Sequence, residues 1–173
     1  MSHDPVPPAP SERERQFDRL VGPLAEAAYG LALTMLRDPT EAEDAVQEAA
    51  LKAWRRLDTL RDGTAVRPWF FAIVANQCRS VRRGRWWSVL RVADAPAGAG
   101  GVEEAAAQGT DLRRALARLG ADERLALYLY FFEDLPMEEV AAAMGVSEPA
   151  ARSRVYRAVK RLRPGLELRE VVP

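Results

Sequence analysis

The sequence predicts an all-α chain: two small helical domains joined by a flexible linker, the C-terminal one a helix-turn-helix. Three observations carry that prediction. Apolar residues recur with the 3.6-residue period of a helix over most of the chain. An alanine- and glycine-dominated stretch without any such period interrupts them from Arg91 to Gly109. The segment from Leu135 to Arg163 then reads as a helix, a tight turn and a second helix crowded with arginine. The chain accordingly divides into a disordered leader over 1–11, an N-terminal domain over 12–90, the linker over 91–109, a C-terminal domain over 110–166 and a tail over 167–173.

Pro5, Pro7, Pro8 and Pro10 block helix formation at the start, so order is expected from Ser11. Phe17, Leu20, Val21, Leu24, Ala28, Leu31, Ala32 and Met35 keep one helical period, predicting a single long helix that ends at the Asp38-Pro39 break. A second helix over 40–57 buries Ala42, Val46, Ala49, Ala53 and Leu57. Its far side carries Asp44, Gln47, Glu48, Leu51 and Arg55, which is either a partner surface or a solvated face with one stray leucine. A third helix over 66–85 has Pro68 in its first turn, bulk from Trp69, Phe70, Phe71, Ile73, Val74 and Val81, and a basic end. Aromatics beside arginines suit single-stranded nucleic acid, whose bases stack on rings while cations follow the backbone. Core packing is the alternative for Trp69, Phe70 and Phe71, and packing under the linker the alternative for Trp86 and Trp87.

Beyond the linker, Leu112, Ala115, Leu116 and Leu119 predict a short helix stopped at Gly120. Ala121-Asp122-Glu123 opens another, with Leu125, Leu127, Tyr128 and Phe131 expected to pack. Pro136 opens the next helix, where its missing N–H costs nothing. Met137, Val140, Ala141 and Met144 fall at i, i+3, i+4 and i+7, and Gly145 stands where a left-handed helix stop is wanted. Ser147 is the expected N-cap of the last helix. There Ala151, Val155, Ala158, Val159 and Leu162 share one side, and Arg152, Ser153, Tyr156, Arg157 and Lys160 the other. The planar fork of arginine can bind guanine bidentately or clamp a phosphate. An ordinary amphipathic helix with a solvated basic face is the plainer reading; glycine turn, cap and arginine stripe agree on a helix that enters a DNA groove.

The 25 Lys and Arg residues balance 25 Asp and Glu, but the cancellation is made of blocks. Asp38, Glu41, Glu43, Asp44 and Glu48 are acidic, whereas Arg79, Arg82, Arg83, Arg85 and Arg91, and later Arg152, Arg154, Arg157, Lys160, Arg161 and Arg163, are basic. Cys78 is the one cysteine and His3 the one histidine, which excludes an internal disulfide, a Cys/His zinc cage and a Cys-His or Ser-His nucleophile pair. No apolar run reaches the roughly 18 residues of a membrane span, and the start lacks the apolar core of a signal peptide. A soluble cytoplasmic protein without membrane insertion, cofactor or metal is expected.

Two helical domains on a supple tether, one with a basic-aromatic helix and one with a duplex-reading motif, resemble the extracytoplasmic-function (ECF) class of bacterial RNA polymerase sigma factors over nearly the whole chain. The stretch from Glu41 to Trp54 (EAEDAVQEAALKAW) is similar to the helix with which that family docks on the clamp coiled coil of the largest polymerase subunit. The resemblance makes Asp44, Gln47, Glu48 and Leu51 core polymerase-binding residues. Arg67 to Asn76 (RPWFFAIVAN) is similar to the segment that engages and melts the promoter minus-10 element, so Asn76, Arg79, Arg82 and Arg83 carry over as contacts to that strand. Asp58 to Ala65 occupies the place of the base-capturing loop. Ser80 stands where the family commonly has aspartate, which bears on minus-10 base preference. Leu135 to Arg157 looks like the minus-35 reader, with Arg152, Ser153, Tyr156 and Arg157 on the DNA side. The implied protein catalyses nothing itself; its implied partners are the polymerase core, promoter DNA and an anti-sigma factor.

Rival readings make different demands. A free-standing regulator would read an operator with the same motif, but such proteins usually pair across half-sites and no dimerisation helix is evident. A metal-dependent nuclease would use the acidic cluster at Asp38 to Glu48, which the dipole of a helix start explains more simply. A helical scaffold leaves both basic faces without a purpose.

Overall fold

Ser11 begins the first helix, α1 (Glu12–Leu20), through a reciprocal cap: the Glu14 N–H donates to Ser11 Oγ at 3.3 Å and the Ser11 N–H donates to the Glu14 carboxylate. The computed structural model describes residues 10–60, 65–92 and 115–162, with the backbone alone for 86–92. The single long helix expected up to Asp38 is two helices. After α1 come a 3-10 turn at Gly22–Leu24 and then α2 (Ala25–Leu36). Pro23 has no N–H to give and its ring crowds the carbonyl four residues back, so the first helix stops at Leu20. Apolar residues on both sides of the break still point inward, which is why one period runs through it.

Arg37, left-handed at φ 61°, ends α2, and the Asp38 carboxylate starts α3 (Pro39–Arg56) by accepting the Glu41 N–H at 2.9 Å. Ala42, Ala45, Ala49 and Ala53 line its buried face. Such small side chains let α3 lie close against α2 and against α4 (Val66–Val92). Phe70, Phe71, Val74 and Cys78 of α4 are fully buried and Trp69 packs partly buried against them, so these aromatics are core and not base platforms. The helix runs on past Arg85 through Trp86 and Trp87, whose side chains lie outside the described residues. The leader up to Ala9, the loop residues 61–64, the linker from Ala93, Leu112 and the tail also lie outside them.

In the second half, residues 115–117 are helical, and α5 (Ala121–Leu127) starts where the Glu123 carboxylate accepts the Gly120 N–H at 2.8 Å. A π-helical turn follows at Tyr128–Phe132, closed by the Glu133 N–H on the Tyr128 carbonyl at 3.0 Å. This extra residue per turn rotates the segment. Leu129 is buried in consequence, while Phe131, expected to pack, is 63% exposed and Phe132 is 78% exposed. Pro136 immediately precedes α6 (Met137–Met144), Gly145 at φ 68° makes the left-handed stop, and Ser147 precedes α7 (Glu148–Leu162). No strand occurs among the described residues.

The two halves share one hydrophobic core. Leu31, Met35, Phe70, Phe71 and Val74 of the first half belong to one cluster with Leu125, Leu129, Val140 and Met144 of the second. Helix α4 packs on α6, and α2 on α5. The two domains, joined in sequence by the linker, are therefore in direct contact. Each buried Phe or Leu adds about 1.5–3 kcal/mol of transfer free energy, so this junction is more than a surface touch.

Candidate nucleic-acid interface

Helix α7 sorts its residues as its period requires. Ala151, Val155, Ala158 and Leu162 are buried and Val159 is partly buried, while Arg152, Ser153, Tyr156, Arg157 and Lys160 are exposed. Glu148, Pro149, Arg152, Ser153 and Tyr156 line a shallow depression on that face. Tyr156 is 68% exposed and presents both its ring and its hydroxyl on that face. The helix is anchored at its other end, where Arg161 Nη1 donates to both Glu123 carboxylate oxygens at 3.0 and 2.7 Å.

On α4, Asn76, Arg82 and Arg83 are exposed at one side of the core-facing stripe. Arg79 differs from them. Its Nη1 donates to Asn76 Oδ1 at 3.0 Å, its Nε to Asp122 Oδ1 at 3.2 Å and its Nη2 to the Met144 carbonyl at 3.2 Å. One of the four residues expected to hold DNA is thus half-buried and engaged with the C-terminal half. Ser80, beside it, is exposed.

The acidic stripe of α3 faces away from both other helices. Asp44 and Gln47 are exposed, Leu51 is 51% exposed and Glu48 is half-buried, a single face opposite the alanines. Lys52 lies beside it, 3.8 Å from Glu48 and bonded to Gln77 of α4. Two of the remaining acids serve locally: Asp38 caps the helix and Glu41 pairs with Arg85. Among the described residues no group of three or more His, Cys, Asp or Glu is placed to hold a metal, and no helix is long and apolar enough to cross a membrane.

Sequence reasoning missed the residues that join the halves. Arg124 donates Nε to the Thr34 carbonyl at 2.7 Å and Nη2 to the Met35 carbonyl at 3.1 Å. Burial, then the nearby Arg37 and Arg82, brings its guanidinium down to about 10, so it stays charged at neutral pH. Tyr128 donates its hydroxyl to the Ala27 carbonyl at 3.0 Å; burial, then Glu133, raises its pKa. Arg67 Nη2 donates to the Glu133 carboxylate at 2.8 Å. Only the long-range pairing gives these residues their meaning, and no local pattern signals it.

Family models match this geometry in the same order: Sigma-70 region 2 over residues 20–88, which runs from the end of α1 into α4, and Sigma-70, region 4 over residues 110–162, which ends with α7. The chain is 31% identical over 168 residues to the probable RNA polymerase sigma factor RfaY of Xanthomonas campestris, a match spanning 91% of this chain and 42% of that protein. It is 31% identical over 141 residues to the RNA polymerase sigma factor SigV of Bacillus subtilis, spanning 78% of this chain and 81% of that protein. Among solved structures it is similar to the sigma factor RpoE of Bartonella quintana, co-crystallised with the anti-sigma factor NepR, at TM-score 0.75 and 27% identity over 90% of this chain and 99% of that chain. With regions 2 and 4 present in order and relatives that bear the ECF name, the chain belongs to the RNA polymerase sigma factors of the extracytoplasmic-function class.

Proposed function

We propose that this chain brings core RNA polymerase to promoters through three surfaces, each with a separate task. The stripe Asp44, Gln47, Glu48 and Leu51 docks on polymerase, an acidic and leucine-bearing face suited to a basic helical partner. Asn76, Arg79, Arg82 and Arg83 hold the minus-10 strand as it unpairs. Arg152, Ser153, Tyr156 and Arg157 read the minus-35 duplex, phosphate contacts fixing position and base-edge contacts specifying sequence. The observation that carries this reading is the uncovered basic face of α7 on a helix-turn-helix, in one chain with an uncovered acidic stripe on α3.

The energetics are reasonable. Unstacking a base costs a few kcal/mol, which stacking contacts of about 1–3 kcal/mol per base offset once polymerase holds the DNA. The chain performs no bond chemistry; it makes an enzyme selective, and it does so in the cytoplasm. A solved relative is a complex with an anti-sigma factor, which supports a partner of that kind here.

Permanganate reactivity of unpaired thymines tests the assignment of α4. Polymerase with the wild-type chain is expected to open the minus-10 region, and Arg82→Ala/Arg83→Ala to open it markedly less. Equal opening removes α4 from the reading.

A further inference from the structure

We propose that Pro149 and Tyr156 form a slot on α7 that seats the C5 methyl of a thymine, and so make Pro149 a specificity residue; this rests on the reading of α7 as the minus-35 helix. Pro149, Ser153 and Tyr156 stand at i, i+4 and i+7 along the middle of the exposed face, opposite the buried Ala151, Val155, Ala158 and Leu162. With Glu148 and Arg152 they line one shallow depression of about 490 Å³.

The depression is poorly suited to a phosphate. A helix start meets phosphate with its free N–H groups, but Pro149 has no N–H to offer and Glu148 adds a carboxylate beside it. That carboxylate also draws the Arg152 guanidinium to itself, accepting from Nη2 at 2.5 Å. The walls left over are carbon: the pyrrolidine ring of Pro149 and the phenol ring of Tyr156.

An apolar seat near the start of a helix that enters the major groove has one complement among the base edges. Thymine alone presents a methyl group there, next to its O4 acceptor, where cytosine presents an N4 donor and no methyl. The Ser153 hydroxyl lines the same depression and can donate to O4, but it can equally accept from N4, so it does not separate the two bases. The methyl does. Pro149 and Tyr156 therefore supply the discrimination that Ser153 lacks.

The probe is a duplex that the complex of this chain with core polymerase selects from a library of random sequence. Each thymine of its minus-35 element is replaced in turn by deoxyuridine, which removes the methyl and nothing else. Wild type is expected to bind about threefold more weakly when one particular thymine is replaced, the loss due to one methyl leaving an apolar seat. Pro149→Ala and Tyr156→Ala are each expected to abolish that difference, and Tyr156→Phe, which keeps the ring, to retain it. Each comparison sets two duplexes against one protein, so any loss of folded protein cancels. The slot is overturned if no position responds to the methyl, if Tyr156→Phe abolishes the response, or if the response survives in Pro149→Ala and Tyr156→Ala, as it would were duplex stiffness its cause. In each of those cases the preference for the selected duplex over a scrambled one remains, and the minus-35 reading stands. If Arg152→Ala/Arg157→Ala leaves that preference intact, α7 is not the reader and the slot falls with it.

Discussion

Glu148 and Arg152 stand one turn apart on the exposed face of α7, with Arg152 Nη2 donating to Glu148 Oε1 at 2.5 Å. A guanidinium proposed to face duplex DNA is thus shared with an acid. Their side chains are 66% and 48% exposed, and an exposed pair at this spacing is worth only about 0.3–0.5 kcal/mol, so a phosphate or guanine can displace the carboxylate. Glu148→Gln removes the competitor and one negative charge. Binding of the polymerase complex to a minus-35 duplex is expected to tighten by about twofold, measured by anisotropy. Weaker binding would place Glu148 itself in contact with DNA.

Arg157→Ala is expected to reduce initiation at promoters that depend on the minus-35 element while leaving polymerase binding unchanged. A lost base-edge pair costs about 1–3 kcal/mol, and a lost phosphate contact lowers the salt slope by about one. Transcription from matched promoters with and without the element checks this. Equal loss on both would contradict the assignment.

Glu48→Lys reverses charge in the middle of the α3 stripe and places the new ammonium beside Lys52, the present partner at 3.8 Å. Polymerase affinity is expected to fall by about tenfold or more, since juxtaposed like charges at an interface cost several kcal/mol. Titration of labelled chain with core polymerase measures it. An unchanged dissociation constant would remove the stripe from the interface.

How far the sequence could be read follows from how local each signal is. The Asp38-Pro39 break, the Gly145 stop and the sorting of α7 depend on neighbours within one or two turns, and the structure places them as expected. The break at Pro23 was hidden because apolar spacing continues across it. The π turn at Tyr128 was hidden because one extra residue per turn leaves no mark in composition, yet it turns Phe131 outward. Arg79 had a basic run to recommend it for DNA, but its contacts to Asp122 and Met144 join residues far apart in sequence. Periodicity sorts the faces of a helix; it does not say which face meets which.

Burial of Cys78 gives the chain a pH dependence whose sign follows from its thiol. The Cys78 thiol is pushed up to about 12 from an ordinary 9.0 by burial. Between those values the unfolded thiol loses its proton while the folded one keeps it, so stability falls as pH rises from about 9 and levels off near 12. Tyr128, also raised by burial, adds a loss of the same sign. Between about pH 9 and 10, below the range where Arg124 titrates with the opposite sign, the thermal midpoint is expected to decline, and less steeply in Cys78→Ala. An equal slope in both proteins would contradict the buried-thiol account.

The most direct measurement is start-site mapping by in vitro transcription with purified core polymerase and a genomic DNA library, with and without this chain. The account predicts a discrete set of new start sites that share minus-35 and minus-10 elements and disappear when the chain is omitted. Start sites that are unchanged by its addition, despite polymerase being bound to it, would contradict the account.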